Sequence, residues 1–151
     1  MFYSHPDRPL RDHVKDVTDR ALTAFDQSLP IERSSRYKEW LRLITLCHDF
    51  GKYTTFFGRH LNGEKVGEER FHAELGAMFA SYIAEQTIAL HASPQEPEYF
   101  APIIIYYVIH RHHGHLINME HVFQRSDQDW SRPKILFKEP FRAQIADLKS
   151  Q

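Results

Sequence analysis

The chain has 151 residues, 42% of them hydrophobic, and a formal net charge of -1. That length suits one domain of about 100–200 residues, large enough to bury roughly 68–70% of its unfolded surface without staples. The near-zero charge excludes a uniformly basic nucleic-acid binder and a polybasic membrane binder, and leaves room only for a local basic groove.

The single cysteine, Cys47, excludes an internal disulfide framework and suits a reducing compartment. The start, Met1-Phe2-Tyr3-Ser4-His5-Pro6, lacks the charged and apolar regions of a secretory signal. The longest apolar run, Ile103 to Ile109, is far short of the ~20 residues of a membrane span. A cytoplasmic location and no membrane partner are therefore expected.

Five helices and a short helical piece are expected. From Pro9 to about Leu29, the residues Leu10, Val14, Val17, Ala21 and Phe25 recur at helical spacing, with Pro9 in the first turn and Asp7 as a cap. A second helix runs from Ser34 or Ser35 to Gly51. Trp40, Leu41, Leu43, Ile44, Leu46 and Cys47 make it apolar on most sides and hence central. Phe56 and Phe57 open a short helical piece that gives way to a polar loop through Asn62-Gly63. A third full helix spans about Phe71 to Ala89, with Leu75, Phe79, Tyr82 and Ile83 on its buried face. Ser93 to Pro97 forms a loop. Ile103 to Ile109 fits a strand or a helix by periodicity, and the helical surroundings decide for a helix that ends at Gly114. Phe141, Ile145 and Leu148 mark a last helix. The class is all-α.

Eleven histidines outnumber the 6 glycines and the 8 prolines. His13 falls on the first helix, His48-Asp49 at the end of the second, His72 at the start of the third and His112-His113 at the end of the fourth. Helices distant in sequence can aim such side chains at one point of a bundle. A lone histidine on a helix is usually structural or solvated. His48-Asp49-x-Gly51-Lys52 is more pointed, because an ionisable pair beside Leu46 and Cys47 costs several kcal/mol unless it is paired or bound to metal. Imidazole and carboxylate without thiolate suit Mn, Fe, Co, Ni or Zn. Asp49 has two oxygens and can bridge two cations. Such a pair stabilises the attacking and leaving oxygens of a phosphoryl displacement and yields hydroxide at neutral pH.

The order His13, His48-Asp49-x-Gly51-Lys52, His72-Ala73-Glu74 with Gly76-Ala77, and His112-His113-Gly114 resembles the HD superfamily of metal-dependent phosphohydrolases. The paired His-His-Gly is most similar to the HD nuclease domain of the CRISPR-associated type I helicase-nuclease. The resemblance spans about Leu10 to Leu116. It implies an HD-domain helical bundle around a metal site and a nuclease that cuts mainly single-stranded DNA. It also implies work in antiviral CRISPR interference with a surveillance complex and a helicase in cis or trans. Carried over by motif, His13, His48 and Asp49 serve one metal, and Asp49, His72, His112 and His113 the other. Lys52 matches a lysine that contacts phosphate, so Asp49 and Lys52 are the expected catalytic residues. The family usually adds a late aspartate to the first metal. Asp127, Asp129 and Asp147 are the late aspartates here, and none sits in the family's context. No Gly-x-x-x-x-Gly-Lys-Ser/Thr phosphate loop is present. One HD nuclease domain over 1–151 is expected, without the family's C-terminal part and without a helicase.

His110 and His115 flank the pair and are expected to be solvated. His5, His60, His91 and His121 are read as surface, and Cys47 as a small buried hydrophobe. Arg33, Arg36, Lys38 and Arg42 form one locally basic stretch. Arg132, Lys134, Lys138 and Arg142 form another, interleaved with Phe137 and Phe141 as a single-strand track would be. The plainer alternative is a solvated helix face with both phenylalanines in the core. Two other functions stay open: an HD phosphohydrolase acting on nucleotides, and a metal-binding docking module without catalysis.

Overall fold

The computed structural model describes residues 1–28, 34–114 and 139–151. A two-stranded antiparallel hairpin, β1 (Tyr3–His5) and β2 (Arg8–Pro9), precedes the helices α1 (Leu10–Ser28), α2 (Ser34–Cys47), α3 (Thr55–Leu61), α4 (Ala73–Thr87), α5 (Ala101–His110) and α6 (Glu139–Ser150). The architecture is a helical bundle, as the sequence indicates.

The hairpin replaces the expected cap of α1. Pro9 lies in β2 and Asp7 in the turn, and the Leu10 N–H donates instead to the Phe2 carbonyl at 2.9 Å. Both strands are too short to leave an alternating signature in the sequence. Along α1 the expected face is the covered one: Leu10 is fully buried, and Val14, Val17, Ala21 and Phe25 are half-buried.

The core joins α2, α4 and α5 through Trp40, Cys47, Ala77, Ala80, Ala84, Ala101, Ile105 and Ile109. Two expectations about its faces are corrected. In α4, Leu75 is buried and Ile83 half-buried as expected, but Phe79 and Tyr82 are exposed, and Ala77, Ala80 and Ala84 complete the buried stripe. Small side chains let α4 lie close against Ile105 and Ile109 of α5, so size rather than hydrophobicity selects the face. In α2, Leu46 is exposed, so the helix has a solvent side.

α2 also ends at Cys47, before the expected Gly51, and a 3-10 turn takes over at Phe50–Tyr53. Asp49, between them, has φ -105° and ψ 14°, the bridge region where functional residues often sit. The break turns its side chain into the bundle, where it is 1% exposed.

Candidate metal centre

Asp49 is the hub. Its Oδ2 lies 3.1 Å from His13 Nε2, 3.4 Å from His48 Nε2 and 2.9 Å from Lys52 Nζ. Its Oδ1 lies 3.2 Å from His72 Nε2 and 3.7 Å from His112 Nε2. His113 joins through His72, with the two Nε2 atoms 2.7 Å apart. The six residues named from the sequence as metal ligands therefore come together. They fall into the two expected groups, His13-His48-Asp49 and Asp49-His72-His112-His113, and within each group the ligand atoms lie within 4.8 Å of one another. One carboxylate oxygen faces each group.

The local chain explains the aim of the rings. His48 Nδ1 sits 2.8 Å from the Thr45 carbonyl, and His112 Nδ1 sits 2.6 Å from the Ile109 carbonyl. A carbonyl can only accept, so Nδ1 carries a proton in both rings and Nε2 is the nitrogen turned to the centre. His72 is the N-terminal cap residue of α4 and packs edge-on against buried Phe57. Two glycines let the ligand-bearing segments approach. A Cβ on Gly51 would stand 2.5 Å from the His72 carbonyl oxygen, and one on Gly76 would stand 2.5 Å from that of Cys47.

Electrostatics favour ligand-ready protonation states. Burial raises the Asp49 pKa, but the facing imidazoles of His112, His72 and His48 together with Lys52 outweigh it, and the carboxyl is held well below its usual range. Burial holds the His13 and His72 rings below the ordinary imidazole value. Burial, then the neighbouring His112, His72 and Lys52, push His113 down to about 4. These rings are neutral at pH 7, the form that binds a cation.

The donors also fit a cation on geometry. Both Asp49 oxygens and His112 Nε2 are covered, yet none of their contacts has hydrogen-bond geometry. Buried polar atoms ordinarily have at least one hydrogen-bond partner, whereas a divalent ion satisfies oxygen and ring nitrogen together. Imidazole and carboxylate donors without sulfur suit a first-row transition metal.

Lys52 is 6% exposed, and its ammonium also reaches the Ser4 carbonyl at 3.5 Å and lies over the Phe57 ring. It is thus joined to Asp49 and the hairpin. A shallow cleft beside it is lined by Phe2, Tyr3, Pro6, Gly58 and Asn62.

Asp147 does not reach the centre. It accepts from the Thr55 N–H at 2.7 Å and from the Thr55 hydroxyl, and so caps α3. His110 is half-buried rather than solvated, with Nδ1 3.0 Å from Glu74 Oε2. His5, His60 and His91 are exposed, as expected. Cys47 is buried, and burial pushes its thiol up to about 11. In the first basic stretch, Arg36 pairs with Glu98 and Lys38 with Asp26. In the second, Phe141 is buried, which removes it as a stacking platform, and Arg142 is exposed near Glu139 at 3.6 Å. Arg33, His115, His121, Asp127, Asp129, Arg132, Lys134, Phe137 and Lys138 lie outside the described residues.

Sequence reasoning missed Gln144, which is buried on α6. Its amide donates to the Glu69 and Phe71 carbonyls at 2.7 and 2.8 Å and braces the strand of chain entering His72. It also gave no role to Glu74. No local pattern marks either residue, because their partners are far away in sequence.

The fold and site together define a helical bundle with a His/Asp cluster able to hold a metal ion. No family model, curated protein or solved structure matches the chain. Among the described residues, no helix is long and apolar enough to cross a membrane.

Proposed function

We propose that the chain is an HD-type, metal-dependent phosphodiesterase that cleaves single-stranded DNA, in the setting of CRISPR type I interference that its motifs suggest. The observation that carries this reading is the division of Asp49. One buried carboxylate turns Oδ1 to His72 and His112, and Oδ2 to His13 and His48. Shared carboxylates of this kind suit two-cation phosphoryl chemistry. His13, His48 and Asp49 would hold one ion, and Asp49, His72, His112 and His113 the other. Bound there, divalent ions supply Lewis acidity and an activated water at neutral pH.

The chain's own residues set the remaining conditions. His13, His72 and His113, held below the ordinary imidazole value, present lone pairs without losing protons. The Thr45 and Ile109 carbonyls fix the His48 and His112 tautomers. Lys52 adds a cation beside Asp49, and charge there opposes the negative charge that accumulates on a phosphoryl group in the transition state. The Oδ2 side has two imidazoles and this ammonium, and the Oδ1 side has three imidazoles. The Oδ1 group is therefore the tighter of the two.

The test is cleavage of a labelled single-stranded oligonucleotide by metal-stripped protein resupplied with Mn²⁺ or Co²⁺, with nucleoside triphosphates as a parallel substrate. The proposal expects metal-dependent oligonucleotide products that disappear with excess chelator. Hydrolysis of the nucleotides alone would favour the nucleotidase, and metal binding without turnover on either substrate would favour the docking module.

A further inference from the structure

We propose that Glu74 is a positioning residue for the Asp49-His72-His112-His113 group, latching the last turn of α5 to the first turn of α4. This inference rests on the metal-binding role proposed above. The two ligand-bearing ends that must meet are the start of α4, capped by His72, and the chain just beyond α5, which carries His112 and His113. Further along, the two helices are held by apolar contacts of Ala77, Ala80 and Ala84 with Ala101, Ile105 and Ile109. At the ligand end that packing gives way to a polar contact.

The Tyr106 hydroxyl donates to Glu74 Oε1 at 2.9 Å, and His110 Nδ1 lies 3.0 Å from Oε2, in ion-pair range though without hydrogen-bond geometry. The Tyr106 and His110 rings, one helical turn apart, stack with centroids 5.5 Å apart and 10° between planes. Each oxygen of one carboxylate on α4 thus engages a different turn-related side chain on α5. That fixes both the separation and the rotation of α5 about its axis, which apolar packing alone leaves soft. Two residues before Glu74 stands His72, and two residues after His110 stands His112. A rotation of α5 would move His112 and His113 out of reach of His72, whose ring centroid is now 5.5 Å and 4.8 Å from theirs.

The test is Co²⁺ titration of the metal-stripped protein, read by visible absorption, for the wild type, Glu74→Ala, Glu74→Gln and Tyr106→Phe, each with a thermal melt. Glu74→Ala is expected to weaken Co²⁺ binding by about 10–100-fold, the usual range for partners behind metal ligands, and to change the absorption envelope. Glu74→Gln restores affinity to within a few-fold, because its amide oxygen still accepts from the Tyr106 hydroxyl and the side chain keeps its length. Tyr106→Phe keeps the ring packing, loses the hydroxyl and falls between. Wild-type affinity and spectrum in Glu74→Ala, whatever its melting temperature, would overturn the latch. If Glu74→Ala does not fold, unchanged affinity in Tyr106→Phe overturns it. A wild type that binds no Co²⁺ would instead remove the metal-binding role itself.

Discussion

Gly51 lets His72 close against the turn that carries Asp49: a Cβ on Gly51 would stand 2.5 Å from the His72 carbonyl oxygen and 2.6 Å from its Cα. Those atoms are backbone and cannot swing aside. Gly51→Ala must push α4 away from the Asp49 turn, at about 1–3 kcal/mol for overpacking. Both the melting temperature and the affinity for Mn²⁺ are expected to fall. A variant as stable and as tight-binding as the wild type would mean that the His72 segment is not held this closely.

Asp49→Asn separates chemistry from folding. The amide fills the same volume and still offers Lys52 an acceptor, whereas Asp49→Ala would leave that buried ammonium unpaired at about 3–5 kcal/mol. The expected outcome is a folded protein by circular dichroism with cleavage lost and metal binding weakened at both groups. Wild-type turnover by the amide variant would show that Asp49 is not the shared ligand.

Lys52→Met should slow cleavage by about 10²–10³-fold, the range for loss of a donor that opposes transition-state charge. Metal affinity is expected to hold or to rise, because the ammonium 2.9 Å from Asp49 Oδ2 competes for that oxygen. Turnover and Mn²⁺ titration on the same preparation decide the matter. Lost metal with an unchanged rate on the residual holoenzyme would assign Lys52 to the metal shell instead.

The depressed imidazoles make the metal-free fold sensitive to acid. In the unfolded chain a histidine takes up a proton near pH 6.5, while in the fold burial and neighbouring positive charge delay this, for His113 down to about 4. The unfolded state therefore binds more protons across that window, and stability falls as pH drops through it and is complete above about pH 6.5. Asp49 acts lower down, because its folded value lies below the ordinary 3.8; its contribution is present above that pH and lost beneath it. Urea denaturation in chelator at pH 7.5, 6 and 4.5 should give progressively lower midpoints. A flat profile would show that the rings are not held neutral by the fold.

The clustering of His13, His48, Asp49, His72, His112 and His113 was legible from the motifs His48-Asp49-x-Gly51-Lys52 and His112-His113-Gly114 and from the family resemblance they carry, and the fold brings these residues together. The helices were legible from the spacing of large apolar residues, as along α1. That rule misassigned α4, where close contact with α5 selects Ala77, Ala80 and Ala84 over Phe79 and Tyr82. The hairpin escaped because Tyr3–His5 and Arg8–Pro9 are too short for a period. Asp147, Gln144 and Glu74 escaped for another reason: each acts on a partner thirty or more positions away, through contacts that only the folded chain creates.

Anomalous scattering from a Mn²⁺-loaded crystal tests the central claim most directly. The account predicts a strong peak bound by Asp49 Oδ1, His72, His112 and His113, and a weaker one on the side of His13, His48 and Asp49 Oδ2, where Lys52 competes. Manganese bound elsewhere on the chain, with none beside Asp49, would contradict it.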